Sequence, residues 1–375
     1  MYYNFQRNSM KTLATLAFGA IVIYVLLVYT YRITTEETAR INIENKVTSF
    51  EFNKLQNCPL HKKMYYFLKV YKTGSSTLGL ILLNHALEND IFLGFPDHRF
   101  GQFMPTLSFS ENQVINRHEG NVRMIVHHSV FNQTEVEKVI PRSQCSLYVS
   151  LLRNVYDVFE SRVNFFGWSK SLKLTGNNTE NAEYILSNIQ KIHAAHIGKV
   201  EEFKLYQLGN WYLRQFTGTK EIYGKYRKSI VESKLKELDE VFDIVLINER
   251  YDEGLIILRD MAGWTNDDIA YKSQRVREKK KPNFSFTYKK NISDYLYADK
   301  MIYQHFYDKF DKMVDAYGRH KMRLEVEKFQ QYNQNKNMQC KNNSRLKDYC
   351  ERMQNGIVSL FGRIQSHQFS QKIKS

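Results

Sequence analysis

The segment from Met64 to Leu87 restricts the fold more than any other part of this chain. Met64–Val70 (MYYFLKV) is a short aromatic and aliphatic run of the kind that forms a buried strand. Thr77–Leu87 (TLGLILLNHAL) then has its apolar residues at helical spacing, and Tyr71-Lys72-Thr73-Gly74-Ser75-Ser76 joins the two. A strand feeding a helix through a turn of small residues lets the backbone wrap an anion, with N–H groups and the helix N-terminus aimed at it. Lys72 adds a full charge, and the hydroxyls of Ser75, Ser76 and Thr77 add donors. The pattern is not GxxxxGK[ST], because Lys72 precedes the glycine Gly74. An ordinary strand-to-helix turn with an N-cap serine is the alternative on these residues alone.

Three more strand candidates follow, at Val122–Val126, Ser146–Leu152 and Val241–Ile247, each before a polar turn and a helical stretch. Strands alternating with helices predict an α/β fold, a parallel sheet covered on both faces. Helical patterns dominate Glu180–Phe216 and Ile292–Phe329, and no internal repeat occurs. Arg153 stands at the carboxyl end of the third strand candidate, where parallel sheets bind ligands, and Ser161 lies about two helical turns further on. Such a pair suits a phosphate. His127 and His128 follow the second strand candidate, and if the strand continues through them its alternation points the two side chains opposite ways.

Formal net charge is +15, which fits nucleic acid, an acidic membrane surface or a polyanionic small ligand. The N-terminal region narrows this. Thr12–Tyr31 carries no charge, and about 20 such residues span a bilayer core as a helix. Tyr24, Tyr29 and Tyr31 form an aromatic belt at one end, and no small-residue cleavage site follows, which favours an uncleaved anchor over a signal peptide. Arg7 and Lys11 precede the run, so residues 1–11 are expected in the cytoplasm and the rest beyond the membrane, single-pass and N-in, away from nucleic acid. Sequons at Asn132, Asn177, Asn283, Asn291 and Asn342 agree with a secretory lumen and predict N-glycosylation. Residues 32–57 are polar and read as a stem, 58–327 as the catalytic domain, and 328–375, rich in Gln, Asn and Lys, as a solvated helix or loose extension. Cys58, Cys145, Cys340 and Cys350 permit two disulfides of undetermined pairing. Cys340 and Cys350 would lie about 15 Å apart on one helix, so they pair with each other only across a turn. Their spacings match no zinc pattern, and no metal is expected.

Taken together, FLKVYKTGSSTLGLIL, IVHHSVFNQTEVEKVIP, SLLRNVYDVFESRVNFF and FDIVLINERYDEGLIILRDMAGW resemble, in order and spacing, the Golgi galactose-3-O-sulfotransferase family, which includes the cerebroside sulfotransferases. The resemblance covers roughly residues 58 to 325. It implies a P-loop-like sulfotransferase fold, a Golgi address and 3′-phosphoadenosine 5′-phosphosulfate (PAPS) as sulfate donor, gripped by Lys72, Thr73, Gly74, Ser75, Ser76 and Thr77 on one side. Arg153 and Ser161 would hold the 3′-phosphate, and Arg277, with Arg275, would close over the nucleotide. It implies Lys72 as stabiliser of the leaving group, His128 as general base, and a galactose-terminated glycolipid or glycan as acceptor. His127 and Glu160 are alternative bases, with Glu160 more simply a helix-surface charge. The chain departs from the family at Tyr71, where a His is usual, and at Asn154-Val155, where Asp-Pro is usual. A lumenal P-loop kinase would need a Walker lysine and a magnesium-holding Asp, for which Asp243 alone offers itself. An inactive carbohydrate-binding protein on the same fold is the other alternative.

Overall fold

A computed structural model describes residues 28–30, 50–96, 108–116, 122–198, 205, 207–219, 228–272, 283–340 and 347–372. The chain forms two compact units, Met1–Glu51 and Phe52–Ser375. In the first, Val28, Tyr29 and Thr30 are helical, and the rest of the uncharged run lies outside the described residues. Among the described residues no helix is long and apolar enough to cross a membrane.

The second unit is built on four parallel strands, β1 (Met64–Leu68), β2 (Met124–His127), β3 (Ser146–Leu152) and β4 (Ile244–Ile247), in the order β2-β1-β3-β4. The expected α/β fold is present, with strand ends shifted: Val241 closes a helix instead of opening β4. Every residue of β2, β3 and β4 is buried, as a sheet covered on both faces requires. The chain leaves β1 for β2 on one side and returns to β3 on the other, so β1 and β3 form the switch point where the crossovers diverge. Ligands of open α/β sheets bind outside the strand carboxyl ends at such a point.

Helices follow the strands. α1 (Ser75–Glu88) leaves the β1 turn and α2 (Val155–Phe165) leaves β3, while α3 (Asn178–Ser187) opens with a capping box of Asn177 and Glu180. α4 (Trp211–Thr217) and α5 (Lys228–Val241) precede β4, and α6 (Tyr251–Ala262) follows it and packs on it. α7 (Phe286–Tyr295), α8 (Tyr297–Tyr317), α9 (Arg319–Gln339) and α10 (Lys347–Lys372) complete the fold. The helical run expected over Ile292–Phe329 breaks at Gly318, whose φ of 92° suits glycine.

Two boundaries move. The last residues of the supposed stem are folded in: Leu55 is buried with its N–H on the Met261 carbonyl (2.7 Å), and Lys54 pairs with Asp243 (2.5 Å). Asp243, also held by Arg142, therefore sits in a structural ion-pair cluster. The segment beyond 328 is helical, one of the two forms expected, but it is packed rather than solvated throughout. α10, kinked at Gly356, buries Met353, Leu360 and Ile364, and Arg352 reaches Asn84 and Glu88 of α1 (2.6 Å each). The disulfides join Cys58 to Cys145 and Cys340 to Cys350; the second pair bonds because α9 ends at Gln339 before α10 begins.

Candidate active site at the strand carboxyl ends

The turn after β1 is tied by its own hydroxyls. Thr73 Oγ1 and Ser75 Oγ both donate to the Val70 carbonyl, at 3.1 and 2.6 Å, and both residues are buried. These two side chains shape the turn, while Gly74 leaves its backbone exposed and Lys72 and Ser76 are half-buried. Lys72 has φ of 64°, a left-handed conformation that an L side chain adopts at a cost of about 1–2 kcal/mol. Its ammonium lies 4.1 Å above the Phe165 ring. Strain of this kind concentrates where surrounding structure holds a side chain for use.

Gly74 has φ of 89°, and a Cβ there would stand 2.3 Å from Asn248 Oδ1, just past β4. Gly74→Ala should therefore destabilise the protein by about 1–2 kcal/mol from backbone strain, beyond the cost of displacing Asn248. Thermal unfolding of Gly74→Ala beside Gly74→Ala/Asn248→Ala checks this: the second change should relieve the clash and leave the strain.

His128 follows β2. Its Nδ1 lies 2.7 Å from the Lys69 carbonyl, which can only accept, so Nδ1 carries the proton and Nε2 turns its lone pair to the Lys69 ammonium at 3.0 Å. Burial, then the Lys69 charge, hold His128 well below the usual imidazole range, against the pull of the Lys69 carbonyl. The Tyr71 ring stacks on the imidazole (centroids 3.7 Å apart, planes 11°) and packs against Phe166 and Trp211. The Tyr71 N–H meets Gln215 Oε1 at 3.4 Å, and Gln215 Nε2 donates to the Ser129 carbonyl at 3.3 Å, so α4 braces both loops. His127 faces the other way and is buried edge-on to Phe361 of α10, a packing position.

Arg153 follows β3. The Tyr212 hydroxyl accepts from its N–H (3.3 Å) and donates to its carbonyl (2.5 Å), and its guanidinium stands 3.8 Å from Asp157. Asn154 caps α2 by accepting from the Tyr156 N–H at 2.9 Å, so it supplies the cap an Asp would, and Val155 occupies the first helical position, where Pro is tolerated. Ser161 is half-buried on α2. Glu160 is not a surface charge: it is 1% exposed and accepts from the Thr179 hydroxyl at 2.8 Å, because it faces α3.

The expected residues Lys72, Gly74, His128 and Arg153 thus gather at one end of the sheet, while Arg275 and Arg277 lie outside the described residues. Sequence reasoning missed Lys69, Gln215, Tyr212 and Asn248. Lys69 alone carried a signal, as a charge inside the apolar MYYFLKV run. A cleft of about 1050 Å³ lies at the opposite end of the strands, lined by Met64, Arg123 and Cys145, and contains none of the expected residues. Among the described residues no cluster of His, Cys, Asp and Glu could hold a metal ion.

A sequence model of the family described as Galactose-3-O-sulfotransferase matches residues 2–359. Human galactosylceramide sulfotransferase is 27% identical over 276 residues, 69% of this chain and 60% of that protein. Human galactose-3-O-sulfotransferase 3 is 24% identical, over 68% of this chain and 58% of its own length. Mouse galactose-3-O-sulfotransferase 2 is 24% identical over 68% and 63%. The chain therefore spans about three fifths of the length of these relatives. No solved structure matches it.

Proposed function

The chain belongs to the galactose-3-O-sulfotransferase family, and on that premise we propose that it is a Golgi membrane enzyme, anchored by one N-terminal helix, that transfers sulfate from PAPS to a galactose hydroxyl. The 3-hydroxyl of a terminal galactose on a glycolipid or glycan is the acceptor this reading favours. The observation that carries it is Lys72 held at positive φ beside the exposed Gly74 backbone at the sheet's switch point. That cradle, opening on the N-terminus of α1, suits the phosphosulfate end of PAPS. When bound, PAPS supplies a sulfuryl group activated by its phosphate leaving group.

Each residue then has a task. The Lys72 ammonium meets the negative charge that grows on the departing phosphate oxygen. Ser76 and the first N–H groups of α1 fix the same phosphate. Arg153, steadied by Tyr212 and Asp157, takes the 3′-phosphate with Ser161, and Arg277 closes over the nucleotide. His128 receives the proton of the sugar hydroxyl at Nε2, and the Lys69 carbonyl on Nδ1 holds the tautomer that leaves Nε2 unprotonated. A proton arriving there displaces the Lys69 ammonium. Glu160, buried against α3 and held by the Thr179 hydroxyl, does not face the acceptor and serves no such role.

The test is transfer of labelled sulfate from PAPS to galactosylceramide and to soluble β-galactosides, followed against pH. With His128 held low, kcat/KM should stay level from pH 7.5 to below 6.5 and fall only in more acid solution, where His128 takes up a proton. Loss of activity with a midpoint at or above 6.5 would remove His128 as the base. The contacts of Lys69 and Tyr71 on His128 favour a second reading, an inactive carbohydrate-binding protein. Absence of both transfer and PAPS binding would select it.

A further inference from the structure

The rings of His128, Tyr71, Phe166 and Phe165 form a continuous wall, with successive centroids 3.7, 5.5 and 5.1 Å apart. The wall begins at the braced imidazole and ends in a phenylalanine that is 51% exposed. Phe165 closes α2, the helix that starts just after Arg153, and its ring underlies the Lys72 ammonium at 4.1 Å. Gly167 follows, and nothing lies within 4 Å of where its Cβ would stand. Phe166 packs on Tyr71 and Trp211, whereas Phe165 stays half exposed beside Lys72, an apolar surface next to the turn after β1.

We infer that Phe165 is the platform on which the acceptor sugar stacks, and that it selects galactose over glucose. The inference rests on the sulfotransferase reading above. In a β-galactoside the axial 4-hydroxyl leaves the hydrogens on C3, C4 and C5 together on the opposite face. Those C–H groups match the negative face of an aromatic ring. In a glucoside the C4 hydrogen lies on the other face, and the apolar patch is smaller. Stacking by the C3–C4–C5 face on the side of the ring away from the Lys72 ammonium leaves the equatorial 3-hydroxyl at the rim of the contact.

The full chain in detergent micelles should be titrated with methyl β-D-galactoside and methyl β-D-glucoside by saturation-transfer NMR, with PAPS affinity measured separately. In the wild type, saturation should be strongest at H3, H4 and H5 of the galactoside and weak throughout the glucoside. Phe165→Ala should weaken galactoside binding about tenfold, the scale of one aromatic contact, and Phe165→Trp should keep it. PAPS affinity should change less than about threefold in either variant. The proposal fails if both sugars bind the wild type equally. It fails also if PAPS affinity drops while galactoside binding survives, since the ring would then serve only to seat Lys72. Phe165→Trp carries the test if the alanine variant does not fold. Galactoside binding through Phe165 with neither sulfate transfer nor PAPS binding would uphold the platform and sink the sulfotransferase reading.

Discussion

Lys72→Gly is expected to lower sulfate transfer by about 10²–10³-fold, the usual effect of removing one group aimed at transition-state charge, while leaving the fold as stable or up to about 1 kcal/mol more stable. The two effects have separate origins. On the proposed mechanism the ammonium meets the leaving phosphate, so its loss should be felt in kcat more than in acceptor KM. The backbone at φ of 64° is strained for lysine and relaxed for glycine. Lys72→Met removes the charge and keeps the strain, so it should match glycine in activity without the gain in stability. Single-turnover transfer beside urea unfolding of the three proteins decides the matter. A glycine variant that loses stability in step with activity would make Lys72 a structural residue.

Asp299→Ala should destabilise the protein by about 3–5 kcal/mol, the scale seen when a buried charge loses its partner. Asp299 is fully buried in the first turn of α8 and accepts from the N–H groups of Trp211 (2.7 Å) and Leu213 (3.0 Å). α4 has no side-chain cap of its own from Asn210, so a carboxylate 88 residues away supplies it. Alanine would leave those donors unmet and the buried Arg162 without its attraction. α4 also carries Trp211, Tyr212 and Gln215, which brace Tyr71, Arg153 and Ser129, so site geometry should loosen with stability. Asp299→Asn keeps one acceptor and should lose less. Burial pushes the Asp299 carboxyl up from 3.8 to about 6, against Arg162 and the backbone donors. Between those values the folded state holds the proton more tightly than the unfolded chain, so stability falls as pH rises from 3.8 to about 6 and is level above. Urea unfolding at several pH values should show that slope in the wild type and lose it in Asp299→Asn. An alanine variant within 1 kcal/mol of wild type would refute the capping role.

Much of the site was legible because its signals are local. The run from Met64 to Leu87 announces strand, turn and helix through apolar periodicity and small residues, and Arg153 follows directly from where β3 stops. The opposite orientation of His127 and His128 needs nothing beyond strand alternation. What stayed hidden depends on contacts between distant residues. Glu160 looks solvated in a helix of mixed polarity, and its burial depends on where Thr179 arrives. The segment beyond 328 reads as a solvated helix or loose extension because it is rich in Gln, Asn and Lys, yet the kinked halves of α10 cover α1.

Local backbone preference and burial pattern suffice for an α/β chain with a small-residue turn between β1 and α1 and an arginine at a neighbouring strand end. They act over a few residues and need no partner. Tertiary structure alone decided which cysteines join, that Lys69 faces His128 across 59 residues, and that Phe165 ends the wall exposed. Each of these is a distance between side chains on different elements, and such distances exist only once the sheet order β2-β1-β3-β4 has brought the strand ends together.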